Sequence, residues 1–88
     1  MPTYKITVKN INAKVAKMLL PRGESTTFSR DARSETELVR NVVKELFDGC
    51  TLMGEDIQNS SGRYGQISAP GNGGRNLYGR IYVECDLQ

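Results

Sequence analysis

The groups in this sequence that could carry chemistry are two sets of acids, two thiols and a glycine-rich run. Glu55 and Asp56 are neighbours, and Glu84 and Asp86 alternate along one segment. Paired carboxylates can serve as acid and base on either side of a bound sugar, provided a cleft holds the substrate between them. A chain of 88 residues without tryptophan offers little room for such a cleft, and solvated strand and helix charges account for these acids. The sequence contains no histidine, which removes the commonest general base and the commonest metal ligand. Cys50 and Cys85 lie outside any CxxC motif. Two thiols make a four-ligand zinc site only if carboxylates or a second chain contribute. Cys50 follows an expected helix C-terminus, where the dipole disfavours a thiolate, and Cys85 alternates with apolar residues. Both are therefore expected as reduced, buried, small core residues, with a disulfide between them as the alternative. Gly71-Asn72-Gly73-Gly74 could cradle an anion with bare N–H groups. No Lys-Ser/Thr follows it and the next residues begin a strand, so it reads as a hairpin tip. No catalytic residue, metal site or cofactor is assigned, and the chain reads as non-enzymatic.

What remains is chemistry of recognition. If Ile81 and Val83 point inward, then Tyr78, Arg80 and Tyr82 point together to the other side of the same strand. Arg63, Tyr64 and Arg75 lie in the segment leading to it. Tyrosine and arginine bury large flat areas while keeping polar tips, which is what interfaces favour. Arg63, Tyr64, Arg75, Tyr78, Arg80 and Tyr82 are thus the candidate partner-binding set. The competing account is that tyrosines simply fill a pleated surface. The alternative functional reading is a nucleic-acid interface using Lys5, Lys9, Arg75, Tyr78, Arg80 and Tyr82, through stacking and phosphate contacts. The strand Leu77-Tyr78-Gly79-Arg80-Ile81-Tyr82-Val83 keeps only an aromatic–glycine pair of the RNA-recognition signature, with arginine where an aromatic should stack.

The formal charge of +2 is too weak a field to imply nucleic acid or a membrane. Its distribution is uneven. Residues 1–33 hold seven basic against two acidic side chains, residues 34–60 two against six, and the rest three against two. A bipolar domain of this kind could be steered by a charged partner, although mixed surfaces are also what soluble proteins ordinarily carry.

The elements that must position these residues follow from periodicity. Ser34 and Glu37 form an S-x-x-E capping box, and Glu35 and Glu37 suit the positive end of a helix dipole. Leu38, Val39, Val42, Val43, Leu46 and Phe47 then recur at spacings of three and four. With Gly49 placed for a left-handed cap, a helix is expected over about 35–48. Tyr4, Ile6 and Val8 alternate with polar residues, as do Ile81, Val83, Cys85 and Leu87, so both chain ends are expected as strands in one sheet. Residues 11–20 fit a short second helix near 12–20, or a strand turning at Pro21-Arg22-Gly23. Thr26–Phe28 and Thr51–Ile57 read as further strands. Residues 59–76 carry five of the nine glycines and read as a flexible hairpin loop, with Gln66–Ser68 a short strand inside it.

The expected fold is a single α+β domain spanning 1–88, an antiparallel sheet of about four strands packed on one amphipathic helix. The expected function is binding of another macromolecule, a protein first. Small domains of this size include accessory proteins of phages and mobile elements that inhibit host machinery. No apolar run approaches the roughly 20 residues that span a bilayer, and no signal-peptide pattern opens the sequence, so a cytoplasmic location is expected. An open sheet edge could also pair two chains into a homodimer.

Overall fold

The period-two pattern at the chain ends builds the centre of the sheet. The computed structural model describes residues 1–14, 18–47, 50–68 and 77–88, with backbone alone at Leu77 and Tyr78. The elements are β1 (Thr3–Asn10), β2 (Ser25–Asp31), α1 (Glu35–Leu46), β3 (Thr51–Ile57), β4 (Gly62–Ser68) and β5 (Leu77–Leu87). They form one antiparallel sheet in the order β2-β1-β5-β4-β3. The class is α+β, with five strands where about four were expected. β1 and β5 are neighbours, so the two chain ends share one sheet, with Ile6 opposite Cys85 and Val8 opposite Val83.

The inward residues of the alternation are fully or almost fully buried: Tyr4, Ile6 and Val8 on β1, Ile67 on β4, and Ile81, Val83 and Cys85 on β5. They belong to one core cluster with Leu38, Val39, Val42 and Val43, the apolar stripe of α1. Burying that stripe, not intrinsic propensity, supplies most of the stability of so short a helix.

The helix begins as expected and ends early. Ser34 is the N-cap, and its Oγ accepts from the N–H of Glu37 at 3.2 Å. The return leg of the box is displaced by one residue, since Glu37 Oε2 accepts from the N–H of Arg33. At the other end Phe47 adopts an extended conformation, with its N–H bonded to Val43 O. Phe47 bridges to Met18 and its ring is completely buried. That burial outweighs one more helical residue, so α1 stops at Leu46 rather than near 48. The expected cap Gly49 lies outside the described residues.

The second helix near 12–20 does not form among the described residues of that stretch. Asn10, fully buried, holds the chain in another shape. Its Nδ2 donates to Ala13 O at 3.0 Å and to Leu20 O at 2.8 Å, while its Oδ1 accepts from the N–H of Ala13 at 2.7 Å. Of these, the bond to the Ala13 carbonyl takes a backbone group that a helix through this stretch would need. Neither does the alternative strand form there, apart from the Met18 bridge.

The glycine-rich stretch is corrected most. Its first half is not a loop, because Gly62–Ser68 is β4, paired on both sides. Asn59 Oδ1 accepts from the N–H groups of Ser61 and Gly62 and closes the turn between β3 and β4. The expected hairpin tip at 70–76 lies outside the described residues.

Candidate interaction face

Alternation along β1, β5 and β4 gives the sheet an outer face opposite the core. Register defines its central row: Ser25 of β2, Lys9 of β1, Tyr82 of β5, Tyr64 of β4 and Asp56 of β3 are consecutive cross-strand partners. Beside Tyr82 and Tyr64 stand Arg80 and Gln66, themselves a directly opposed pair. On the far side Thr7 faces Glu84, and its hydroxyl lies 3.0 Å from that of Thr27.

Three of these side chains form one stack. The Tyr64 and Tyr82 rings are 5.0 Å apart, edge to face at 62°, the geometry favoured by the quadrupoles of two rings. The Arg80 guanidinium lies 4.8 Å from the centroid of Tyr64, a cation–π contact. Tyr82 runs across Gly62, where a β-carbon would collide with its hydroxyl. Partial desolvation, reinforced by the negative charge of Glu84, holds the Tyr82 hydroxyl above its ordinary pKa. The backbone under Arg80 is fixed as well: its N–H donates to Asn12 Oδ1 at 2.7 Å, and its carbonyl accepts from Ile11 and Asn12. Arg80 Nε is shielded from solvent and has no hydrogen-bond partner among the described residues. Next to this stack is an open pocket of about 390 Å³, lined by Met53, Asp56, Gln66 and Arg80. Met53 reaches it because a bulge interrupts the β3 register between Leu52 and Gly54.

Of the candidate binding residues, Tyr64, Arg80 and Tyr82 come together. Arg63 does not join them. It faces the core side, 5% exposed, with Nη1 2.7 Å from Glu55 Oε2 and Nη2 paired to Glu35. Tyr78 occupies the β5 position at the register shift opposite Ile67 and Ser68, and its side chain lies outside the described residues, as does Arg75. Lys5 and Lys9 are on the outer face, but Lys5 stands opposite Asp86 and Lys9 opposite Tyr82. Met53, Asp56 and Gln66 were not foreseen. Gln66 could have been found from its spacing of two from Tyr64, whereas Met53 and Asp56 depend on a bulge whose local mark is Gly54 within the strand.

Glu55 binds Arg63 on the core side while Asp56 opens on the outer face, so the neighbouring carboxylates are separated by the sheet. Cys50 and Cys85 are buried and not joined by a disulfide. Burial pushes the Cys85 thiol up, against the opposing pull of Arg63. Among the described residues no group of three or more acids and cysteines is placed to hold a metal, and no helix is long and apolar enough to cross a membrane. Compared with known proteins, the chain matches no family model, no curated protein and no solved structure.

Proposed function

We propose that this chain is a non-enzymatic interaction protein that binds a protein partner through the outer face of β4 and β5. The observation that carries the reading is the Arg80–Tyr64–Tyr82 stack beside the Met53–Gln66 pocket. Aromatic and arginine side chains held in place before binding lose little conformational entropy on contact, and such residues dominate interface energetics. The pocket beside them gives a partner side chain somewhere to enter.

The basic-face alternative has less support. A nucleic-acid track needs cations in sequence along the backbone path. Here Lys5, Lys9 and Arg80 are interleaved with Asp86, Glu84 and Asp56 across the same face. An accessory, host-inhibiting role would be one use of a partner-binding face, and only the size of the chain bears on it.

The test is affinity capture from the native source with the full chain as bait, beside the variant Tyr64→Ala/Arg80→Glu/Tyr82→Ala. A partner held by the native chain and lost by the variant supports the face. A partner held equally by both removes it. Labelled single- and double-stranded oligonucleotides at low salt test the alternative, and steep salt-dependent binding would replace the protein reading.

A further inference from the structure

The two edges of the sheet are not equally protected. β3, at one edge, carries the bulge at Met53 and the acids Glu55 and Asp56, devices that ordinarily keep an edge from pairing. β2, at the other edge, keeps an unbroken register against β1 from Ser25 to Asp31, contains no proline or bulge, and carries its charges, Arg30 and Asp31, only at its C-terminal end. The N–H of Asn10 bonds to Glu24 O, and the N–H of Ala32 to Pro2 O. Even-numbered positions of this strand therefore turn their backbone groups towards β1, and by the antiparallel alternation Ser25, Thr27, Ser29 and Asp31 turn theirs outward. The outward carbonyl of Ser29 accepts from Arg30 Nη1 at 2.8 Å, so it meets a second copy with one lone pair already engaged and the other open.

We propose that β2 pairs antiparallel with β2 of a second copy of this chain, in the two-fold register centred on Thr27. That register sets Ser25 opposite Ser29 of the second copy, and Thr26 opposite its Phe28. It also sets Glu24 directly opposite Arg30 of the second copy, and the two-fold repeats the pair at the other end. The acid Glu24 of one copy set against the exposed Arg30 of the other, which it would share with Glu45, favours this occupant and register. Glu24 makes no ion pair among the described residues. Arg30 lies on an exposed position with its guanidinium 4.7 Å over Phe28 and 2.9 Å from Glu45. Opposite charges directly across an antiparallel pair stabilise it, and like charges there disfavour it. Pairing converts two five-stranded sheets into one continuous sheet and leaves the outer faces of β4 and β5 free, so it stands independently of the partner-binding reading.

Sedimentation of the full chain from about 10 μM to about 1 mM tests the pairing. The native chain is expected to form dimers reversibly, and Glu24→Arg and Arg30→Glu are each expected to weaken them at least about tenfold. Mixed in equal amounts, the two variants place Arg opposite Glu at both ends and are expected to restore a dimer, resolved as a heterodimer by native mass spectrometry. Thr27→Pro removes an outward N–H without touching the β1 ladder and is expected to be folded and monomeric. Tyr64→Ala is expected to dimerise as the native chain does. A native chain monomeric at about 1 mM, charge variants that dimerise unchanged, or a mixture that gives no heterodimer would each overturn the proposal.

Discussion

Tyr64 and Tyr82 face each other across the β4–β5 ladder, ring centroids 5.0 Å apart, and a β-carbon at Gly62 would push the hydroxyl end of Tyr82 out of its present place. An aromatic pair of this geometry is worth roughly 0.5–1.5 kcal/mol beyond its buried area. A double-mutant cycle of Tyr64→Ala and Tyr82→Ala, read by urea unfolding, is expected to return a coupling in that range. Gly62→Ala should lose the same coupling with both tyrosines still present, because its methyl occupies the place of the Tyr82 hydroxyl. Partner capture should fall with it. Unchanged capture by Gly62→Ala would mean that the edge-to-face stack is not what the partner reads.

Arg63 carries the opposite expectation. Its guanidinium ties β4 to Glu55 on β3 and to Glu35 at the first turn of α1, with 5% of its side chain exposed. Removing one member of a buried ionic group leaves uncompensated charge, at a cost of about 3–5 kcal/mol. Glu35 is 32% exposed, so solvent screens part of the loss and Arg63→Ala should sit near the lower end, about 3 kcal/mol. The combined change Arg63→Met/Glu35→Gln/Glu55→Gln should recover much of it, since no charge is then left alone. Chemical denaturation compares the three proteins, and a negligible loss in Arg63→Ala would show the ionic group to be dispensable.

Arg63 and Tyr64 also show where the sequence could and could not be read. Adjacent in the chain and flanked by glycines that suggest a loop, they read from the sequence as one surface. In a strand, neighbours point to opposite faces, and Gly62–Ser68 sorts them accordingly. The helix stripe and the alternations of β1 and β5 were legible because each is a repeat within a few residues. The burial of Arg63 was not, because its acids lie 8 and 28 positions away. Likewise Phe47 left the helix for a contact with Met18 that no local period encodes. Where a second helix was expected, Asn10 binds the carbonyls of Ala13 and Leu20 instead, contacts visible only once both strands flanking the stretch are placed.

The close approach of Ala13 to Gly79 is a backbone contact and should be the least forgiving point of the fold. A β-carbon at Gly79 would overlap the Cα, Cβ and N of Ala13. Ala13 is fully buried and held by two bonds from Asn10, so it has nowhere to move. Overpacking of this kind costs about 1–3 kcal/mol, and Gly79→Ala is expected at or above the upper end. Asn10→Ala releases Ala13 while stranding its buried N–H and C=O, itself a loss of about 1–3 kcal/mol. The two losses should then be less than additive, because freeing Ala13 relieves the clash. Full additivity in urea midpoints would show that Asn10 does not restrain Ala13.

Stability should fall on the alkaline side for reasons that separate into two residues. Burial raises the Cys85 thiol above its ordinary 9.0, and desolvation with Glu84 raises the Tyr82 hydroxyl above its ordinary 10.0. In the unfolded chain both groups release their protons at the ordinary values. Between each ordinary value and the raised one, the native state therefore holds more protons than the unfolded state, and stability declines as pH rises. The contribution is intact below pH 9, begins to be lost through Cys85 above it, and is lost further through Tyr82 above 10. Urea midpoints measured from about pH 8 to about pH 11 should trace this fall. Cys85→Ala should remove its first part and Tyr82→Phe its second, each leaving the other in place. An undiminished fall in the double variant would assign the alkaline loss to other groups.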